Sequence, residues 1–290
     1  MPRDKRISPF RQNIFLCGML LWMGAQSLHA DGHGPAFCLA TPTLGANAWS
    51  SDTMAMSIGT EEGTAYMFRE MIGYGITEDL QAILTFPLSP VIDPVPMGPN
   101  SRHAPMAGAF TDVEASLLWR FHRHEPGIGE RFESALLCGA SVPLEDKRGS
   151  LENTPSMHVA AVTGYVSRSI YAWIGAGYQE HWREAGDQIG GLPYVTAAFA
   201  WRPPMFRKDY PKPDWRIFVE SLAEFPQRNQ DNHRRLANSG GEKILIGPSL
   251  LGLYGHWGIE AAALFPVHQR LNGHQAEENF RVKLVFSYWF

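Results

Sequence analysis

The chain ends on Phe280-Arg281-Val282-Lys283-Leu284-Val285-Phe286-Ser287-Tyr288-Trp289-Phe290. In an extended strand successive side chains point to opposite faces, so Phe280, Val282, Leu284, Phe286, Tyr288 and Phe290 share one face. Arg281, Lys283 and Ser287 share the other with Val285 and Trp289. An apolar face with aromatics at both ends, backed by a face that carries charge, suits a strand with lipid on one side and a wet lumen on the other. The stretch reads as the closing strand of an outer-membrane β-barrel.

The same alternation recurs upstream. Strands are expected near residues 47–60, 64–73, 79–86, 110–121, 132–142, 157–167, 169–179, 192–202, 214–225, 243–253, 256–265 and 279–290. That is about twelve, an even number, as an up-and-down antiparallel barrel with both termini in the periplasm requires. From Val113 to Phe121 every odd position is apolar, with Glu114, Ser116 and Arg120 opposite. From Trp215 to Phe225 the odd set is opposed by Arg216, Glu220 and Glu224, and from Trp257 to Phe265 Glu260 faces away from an apolar odd set.

Strand length separates a membrane barrel from a soluble sandwich. Trp215 and Phe225, like Phe280 and Phe290, are aromatics ten residues apart on one face. Ten residues span roughly 33 Å, which at a tilt of about 40° gives roughly 25 Å of height, the depth of an apolar band between two aromatic girdles. Trp119, Phe121, Trp257, Phe265 and Tyr288 complete the girdle candidates. The connections agree: outward segments 89–108, 143–156, 180–191, 226–242 and 266–278 are long and polar, and inward ones at 74–78, 168–169 and 254–255 are tight. Two inward segments, 122–131 and 203–213, are long for periplasmic turns. Phe86-Pro87, Val142-Pro143, Phe225-Pro226 and Phe265-Pro266 all fall at the outer end of rising strands, where proline, lacking a ladder donor, ends pairing.

The first thirty residues read as a secretory signal. Arg3, Lys5, Arg6 and Arg11 precede the apolar run Ile14 to Met23, and Ser27-Leu28-His29-Ala30 places cleavage after Ala30. Three segments follow: a signal peptide over 1–30, a periplasmic N-terminal segment over 31–46, and the barrel over 47–290. Rich in Gly and Pro, residues 31–46 either tuck into the bore as a plug or hang free.

Export also removes Asp4, so the 25 Lys+Arg and 29 Asp+Glu of the whole chain become 21 and 28, a net charge of minus seven. That balance argues against nucleic acid. Cys38 and Cys138 remain, too few for a disulfide framework; they either pair or stay as two partly buried thiols. Beyond the signal no apolar stretch reaches the length of a membrane helix.

Several turns and strand ends resemble those of outer-membrane barrel transporters of the "MetA-pathway of phenol degradation" type. They are Gly34-Pro35-Ala36-Phe37 with Ala40-Thr41-Pro42-Thr43, Tyr74-Gly75-Ile76-Thr77-Glu78-Asp79-Leu80-Gln81, and Gly247-Pro248-Ser249 through Trp257-Gly258-Ile259-Glu260-Ala261. Phe265-Pro266-Val267 with Leu271-Asn272-Gly273 and the terminal strand complete the set. The resemblance spans most of the chain. It implies a passive outer-membrane protein linked to aromatic breakdown, with no catalytic residues.

The lumen-lining candidates are Glu114, Arg120, Arg216, Glu220, Glu224, Glu260, Arg281 and Lys283. As opposed acidic and basic rows they would set a transverse field that orients small polar solutes; as pairs they would fill the bore. The expected function is passage or binding of small solutes, aromatic or apolar ones by the resemblance, in the outer membrane of a Gram-negative cell. Outer-membrane lipid, the solute and the barrel assembly machinery, which takes the chain by Phe290, are the expected partners.

No cofactor is called for. A copper-handling alternative rests on Met54 and Met56 on one strand face with Met97, His103 and Met106 in an outward loop, thioether and imidazole being soft donors. A lipid-hydrolase alternative needs a serine and a histidine on one strand face at the lipid boundary, and only the reversed Ser156-Met157-His158 approaches that.

Overall fold

The computed structural model describes residues 34–88, 112–144, 154–183, 186–206 and 212–290. Residues 1–30, read from sequence as a secretory signal, and Met97, His103 and Met106 lie outside the described residues. The strands are β1 (Trp49–Thr60), β2 (Gly63–Gly75), β3 (Leu80–Pro87), β4 (Asp112–Gly127), β5 (Glu130–Pro143), β6 (Ser156–Val166) and β7 (Ile170–His181). They continue as β8 (Leu192–Trp201), β9 (Asp214–Glu224), β10 (Gln230–Asp231), β11 (Arg234–Arg235), β12 (Gly241–Tyr254), β13 (Trp257–Leu271) and β14 (Glu278–Trp289). Twelve of them close into one antiparallel barrel, with β10 and β11 forming a small hairpin in the connection from β9 to β12.

Closure is made by the strand that opened the sequence reading. β14 pairs with β1 from Ser50↔Trp289 to Gly59↔Phe280. Beyond that ladder the Trp49 N–H donates to the Phe290 carbonyl at 2.9 Å and the Phe290 N–H donates to that of Trp49 at 3.1 Å. No edge is left, which removes the unpaired backbone groups that neither lipid nor a soluble neighbour would satisfy.

Parity sorts the side chains as the alternation predicts. Val219, Leu284, Ile259 and Trp119 point outward, each more than half exposed, at 56%, 54%, 53% and 51%. An apolar belt of this extent belongs against lipid. The girdle candidates follow the same outward parity: Trp257 stacks obliquely on Phe286 and Tyr288, and Tyr288 on Phe290.

The barrel has one end of short turns and one of long connections. Trp49 and Phe290 lie at the short-turn end with the turns at 76–79, 128–129, 167–169 and 255–256. The opposite end carries every long connection except 202–213, and one tight turn at Glu61-Glu62 that the length rule did not foresee.

Two segments differ from the sequence expectation. Residues 122–131 are mostly strand, because β4 runs to Gly127 and turns through Ile128-Gly129, where Gly129 takes φ +74. Pro266 does not end β13, which runs on to Leu271. The ladder steps from Leu245↔Pro266 to Ile244↔His268, so Val267 is the extra residue of a bulge in β13 itself, a setting in which a strand tolerates proline.

Candidate functional site

The inward parity of the twelve strands encloses the interior of the barrel, and the described residues fill much of it. Expected as wet, much of it is apolar: Phe218, Leu222, Leu245, Leu251 and Leu264 are each at most 1% exposed and pack with Met56, Met67, Val162, Trp173 and Tyr194 in one cluster. Short-period alternation separates outward from inward positions but does not say whether an inward face meets water or packing.

The eight charged candidates all sit on inward positions, and most are held by partners. Arg281 donates from Nη1 and Nη2 to the two Glu224 carboxylate oxygens, at 3.1 Å each, and from Nε to Glu278 at 2.8 Å. Lys243 joins them, 3.0 Å from Glu224 and 2.8 Å from Glu278. This four-residue lock ties β9, β12 and β14 together near the long-connection end. Lys243 and Glu278 were missed by sequence because each stands at the end of its strand, where parity is weakest.

Lower in the bore, Arg120 donates to Asp79 at 2.9 Å and to the Glu78 carbonyl at 2.8 Å, and lies 3.4 Å from the fully buried Glu133. Glu114 accepts from the Ser116 hydroxyl at 3.0 Å and lies 4.0 Å from His158. Glu260 is buried on β13, and Arg216 stacks over the Tyr171 ring, 4.8 Å from its centroid. Arg69, also inward and fully buried, donates to the Asp112 carbonyl at 3.0 Å.

Glu220 differs in holding something that is not a wall. Its carboxylate accepts the backbone N–H groups of Ala36, Phe37 and Cys38 at 2.9, 2.7 and 3.0 Å, and the Ser249 hydroxyl. Three successive amides around one carboxylate make an anion nest. Lys283 adds a 2.5 Å bond from Nζ to the Ala36 carbonyl and lies 5.7 Å from the Phe37 ring centroid.

Residues 34–46, the strap, run on from there across the bore. Leu39 N–H donates to Thr196 at 3.3 Å, Thr41 to Glu133 at 2.9 Å, and Leu44 N–H to Gln81 at 3.0 Å. The Trp173 indole donates to the Thr41 hydroxyl at 3.0 Å. The strap therefore touches β9 and β14 on one side and β3 and β5 on the other. Glycines in the wall make room for it: a Cβ on Gly75 would lie 1.9 Å from the Gly45 carbonyl oxygen, and one on Gly175 2.9 Å from a Leu39 methyl.

The other candidates are placed as follows. Cys38 and Cys138 are both free, the first a buried residue of the strap and the second exposed on the outer wall. Cys38 lies against Glu220, and burial first, then that carboxylate, pushes its thiol well above the ordinary range. Met54 and Met56 point inward, and Met56 faces Met67 across the β1–β2 ladder. Among the described residues no group of three His, Cys, Asp or Glu is spaced to hold a metal ion. Ser156 and His158 also point inward, 1% and 4% exposed, away from lipid, which removes the geometry an interfacial hydrolase needs.

Among the described residues, a cavity opens at each end of the filled region. One of about 620 Å³ lies among the long connections, walled by Arg228, Arg235 and Arg270. The other, about 370 Å³, lies at the short-turn end beneath Pro42 of the strap.

An outer-membrane channel from Pseudomonas putida F1 superposes with a TM-score of 0.59 at 10% identity, over 86% of this chain and 98% of that one. The fold is that of an outer-membrane β-barrel. The NanC porin follows at a TM-score of 0.49 and 9% identity, over 81% of this chain and 98% of that one. No protein family description and no curated protein sequence matches the chain.

Proposed function

We propose that the protein is a passive channel of the Gram-negative outer membrane for small solutes, held closed in this conformation by its own strap. One observation carries the reading. The strap is fixed by side chains of the wall, Glu220 foremost, and not by a strand ladder, so it can leave without unzipping the barrel. A plug that were part of the sheet could not.

Small aromatic or apolar compounds are the solute class that the resemblance to the phenol-degradation barrels implies. The stacked rings of Tyr171, Trp173 and Phe218 support it: buried in one cluster with strap residues 36–39, they are the apolar surface that departure of the strap would open to such a solute. Outer-membrane lipid against the apolar belt and assembly through Phe290 belong to the same proposal. Export by the 1–30 segment does too.

The test is conductance of the purified, folded protein in planar bilayers, with and without residues 31–46. The full chain should conduct rarely and the shortened chain steadily. Silence from both would overturn the channel. The copper reading retains one support, the Met54, Met56 and Met67 thioethers on adjacent inward positions. Copper bound at well below one equivalent per chain would remove it.

A further inference from the structure

The cavity at the short-turn end carries more positive charge than its surroundings cancel. Arg123, Arg131, Arg168, Arg202 and Arg216 line it, against the carboxylates of Glu125 and Glu130. Glu125 is occupied by Arg123 at 2.6 Å. Arg131 lies 3.4 Å from Glu133, which also serves Arg120 and Thr41. Asp214 accepts from Arg202 Nε at 2.6 Å and has only a 3.5 Å contact left for Arg216.

Arg216 is thus the member left with a buried donor to spare. Its Nε is buried without a hydrogen-bond partner among the described residues. Its guanidinium carbon lies over the ring of Tyr171, 4.8 Å from the centroid, and that ring stacks in turn on Trp173 at 5.8 Å and 20°. A guanidinium lying on a ring offers its donors edge-on, as a fork, to whatever sits beside the ring.

We propose that this cavity binds a small aromatic carboxylate of the benzoate class. The carboxylate meets the donors of Arg216, with Arg168 and Arg131 close by, and the ring packs against the edges that Tyr171 and Trp173 present to the cavity, their faces being taken by Arg216, Phe218 and each other. A forked guanidinium matches a carboxylate with two parallel bonds, which no neutral phenol can reproduce. At about 370 Å³ the space suits a molecule of one ring. Because Pro42 shares the lining and Trp173 holds Thr41, the occupant lies against the strap. The inference rests on the channel reading and names its solute class and its place of entry or exit.

Inorganic phosphate and lipid headgroups share the anionic charge but lack the ring, so they separate the two halves of the proposal. Calorimetric titration of the full chain, folded in detergent, should show saturable binding of benzoate, with phenol and inorganic phosphate each at least tenfold weaker. Added salt should weaken it, since part of the attraction is between exposed charges. Arg216→Gln should cost about tenfold in benzoate affinity, as expected for losing one charge-assisted fork. Arg168→Gln lies on an exposed turn, should fold normally, and should cost a few-fold. Arg228→Gln, in the opposite cavity, should change nothing.

Benzoate that fails to saturate, or binds equally well to both cavity variants, would overturn the site. Phosphate binding as tightly as benzoate would overturn its aromatic character. Saturable benzoate binding to a protein silent in bilayers with and without residues 31–46 would keep the site and sink the channel; steady conductance without benzoate binding would do the reverse.

Discussion

Glu220 and Glu224 stand four residues apart on the inward face of β9, both fully buried, yet they hold different things. Glu224 meets Arg281 of β14 and Lys243 of β12, two charges that belong to the barrel wall. Glu220 meets three backbone amides of the strap. One carboxylate closes the cylinder and the other closes the bore. Buried acids of the same strand can therefore be separated by asking whether their partners can move without the sheet.

The largest effect should come from breaking the wall lock. Arg281→Met takes from Glu224 and Glu278 the guanidinium that bridges them, and removing one partner of a buried ion cluster costs about 3–5 kcal/mol. Urea unfolding of the folded protein in detergent should show that loss. A variant as stable as the parent would mean that the lock is ornamental and that Glu224 is no different from Glu220.

Glu220→Gln sharpens the comparison from the other side. The amide keeps one acceptor oxygen but loses the charge that three N–H groups converge on, so the strap should loosen while the barrel loses only about 1–3 kcal/mol. Cys38 reports the difference. Its thiol is buried and held protonated, and thiolate is the reactive form, so maleimide labelling should be slow in the parent and at least tenfold faster in Glu220→Gln. Glu224→Gln should lower stability without exposing Cys38. Equal labelling of all three proteins would show that Glu220 does not hold the strap.

Most of this architecture was legible before the structure, and the illegible part has a common cause. Period-two alternation located twelve strands and assigned inward parity to Glu114, Arg120, Glu220 and Arg281, because a local pattern records which side a side chain takes. It could not say that Arg281 meets Glu224 across 57 residues, or that the Ala36 amide meets Glu220 across 184, since those pairings depend on how the cylinder closes. The strap has no period at all. Its fit is written in wall glycines such as Gly75, whose missing side chain looks like turn chemistry when read in sequence. Pro266 misled for a related reason: it is accompanied by a bulge at Val267, which only the pairing with β12 reveals.

Removing Phe290 should act on closure more gently than Arg281→Met. Its backbone exchanges two hydrogen bonds with Trp49, and its ring stacks on that of Trp49 at 6.5 Å and 7°. Two such bonds are worth about 1–3 kcal/mol together. If Phe290 is also the handle for assembly, the yield of inserted barrel should fall further than its stability does. Yield and stability falling in step would confine Phe290 to a structural role, and normal yield would remove the assembly proposal.

The smallest effect is expected from Ser156→Ala. Ser156 lies 2.8 Å from the Ser141 hydroxyl, which donates to Asp112 at 3.2 Å, so this is a wall contact like that of Glu224, made with neutral groups. Losing one such bond costs about 1 kcal/mol, and Ser141 keeps its acceptor in Asp112. Bilayer conductance and Cys38 labelling should be unchanged, because no strap residue bonds to Ser156 in the way that residues 36–38 bond to Glu220. The variant also tests the inward orientation directly: lipid hydrolysis present in the parent and abolished in Ser156→Ala would require that serine to face the membrane, against its 1% exposure on the interior wall.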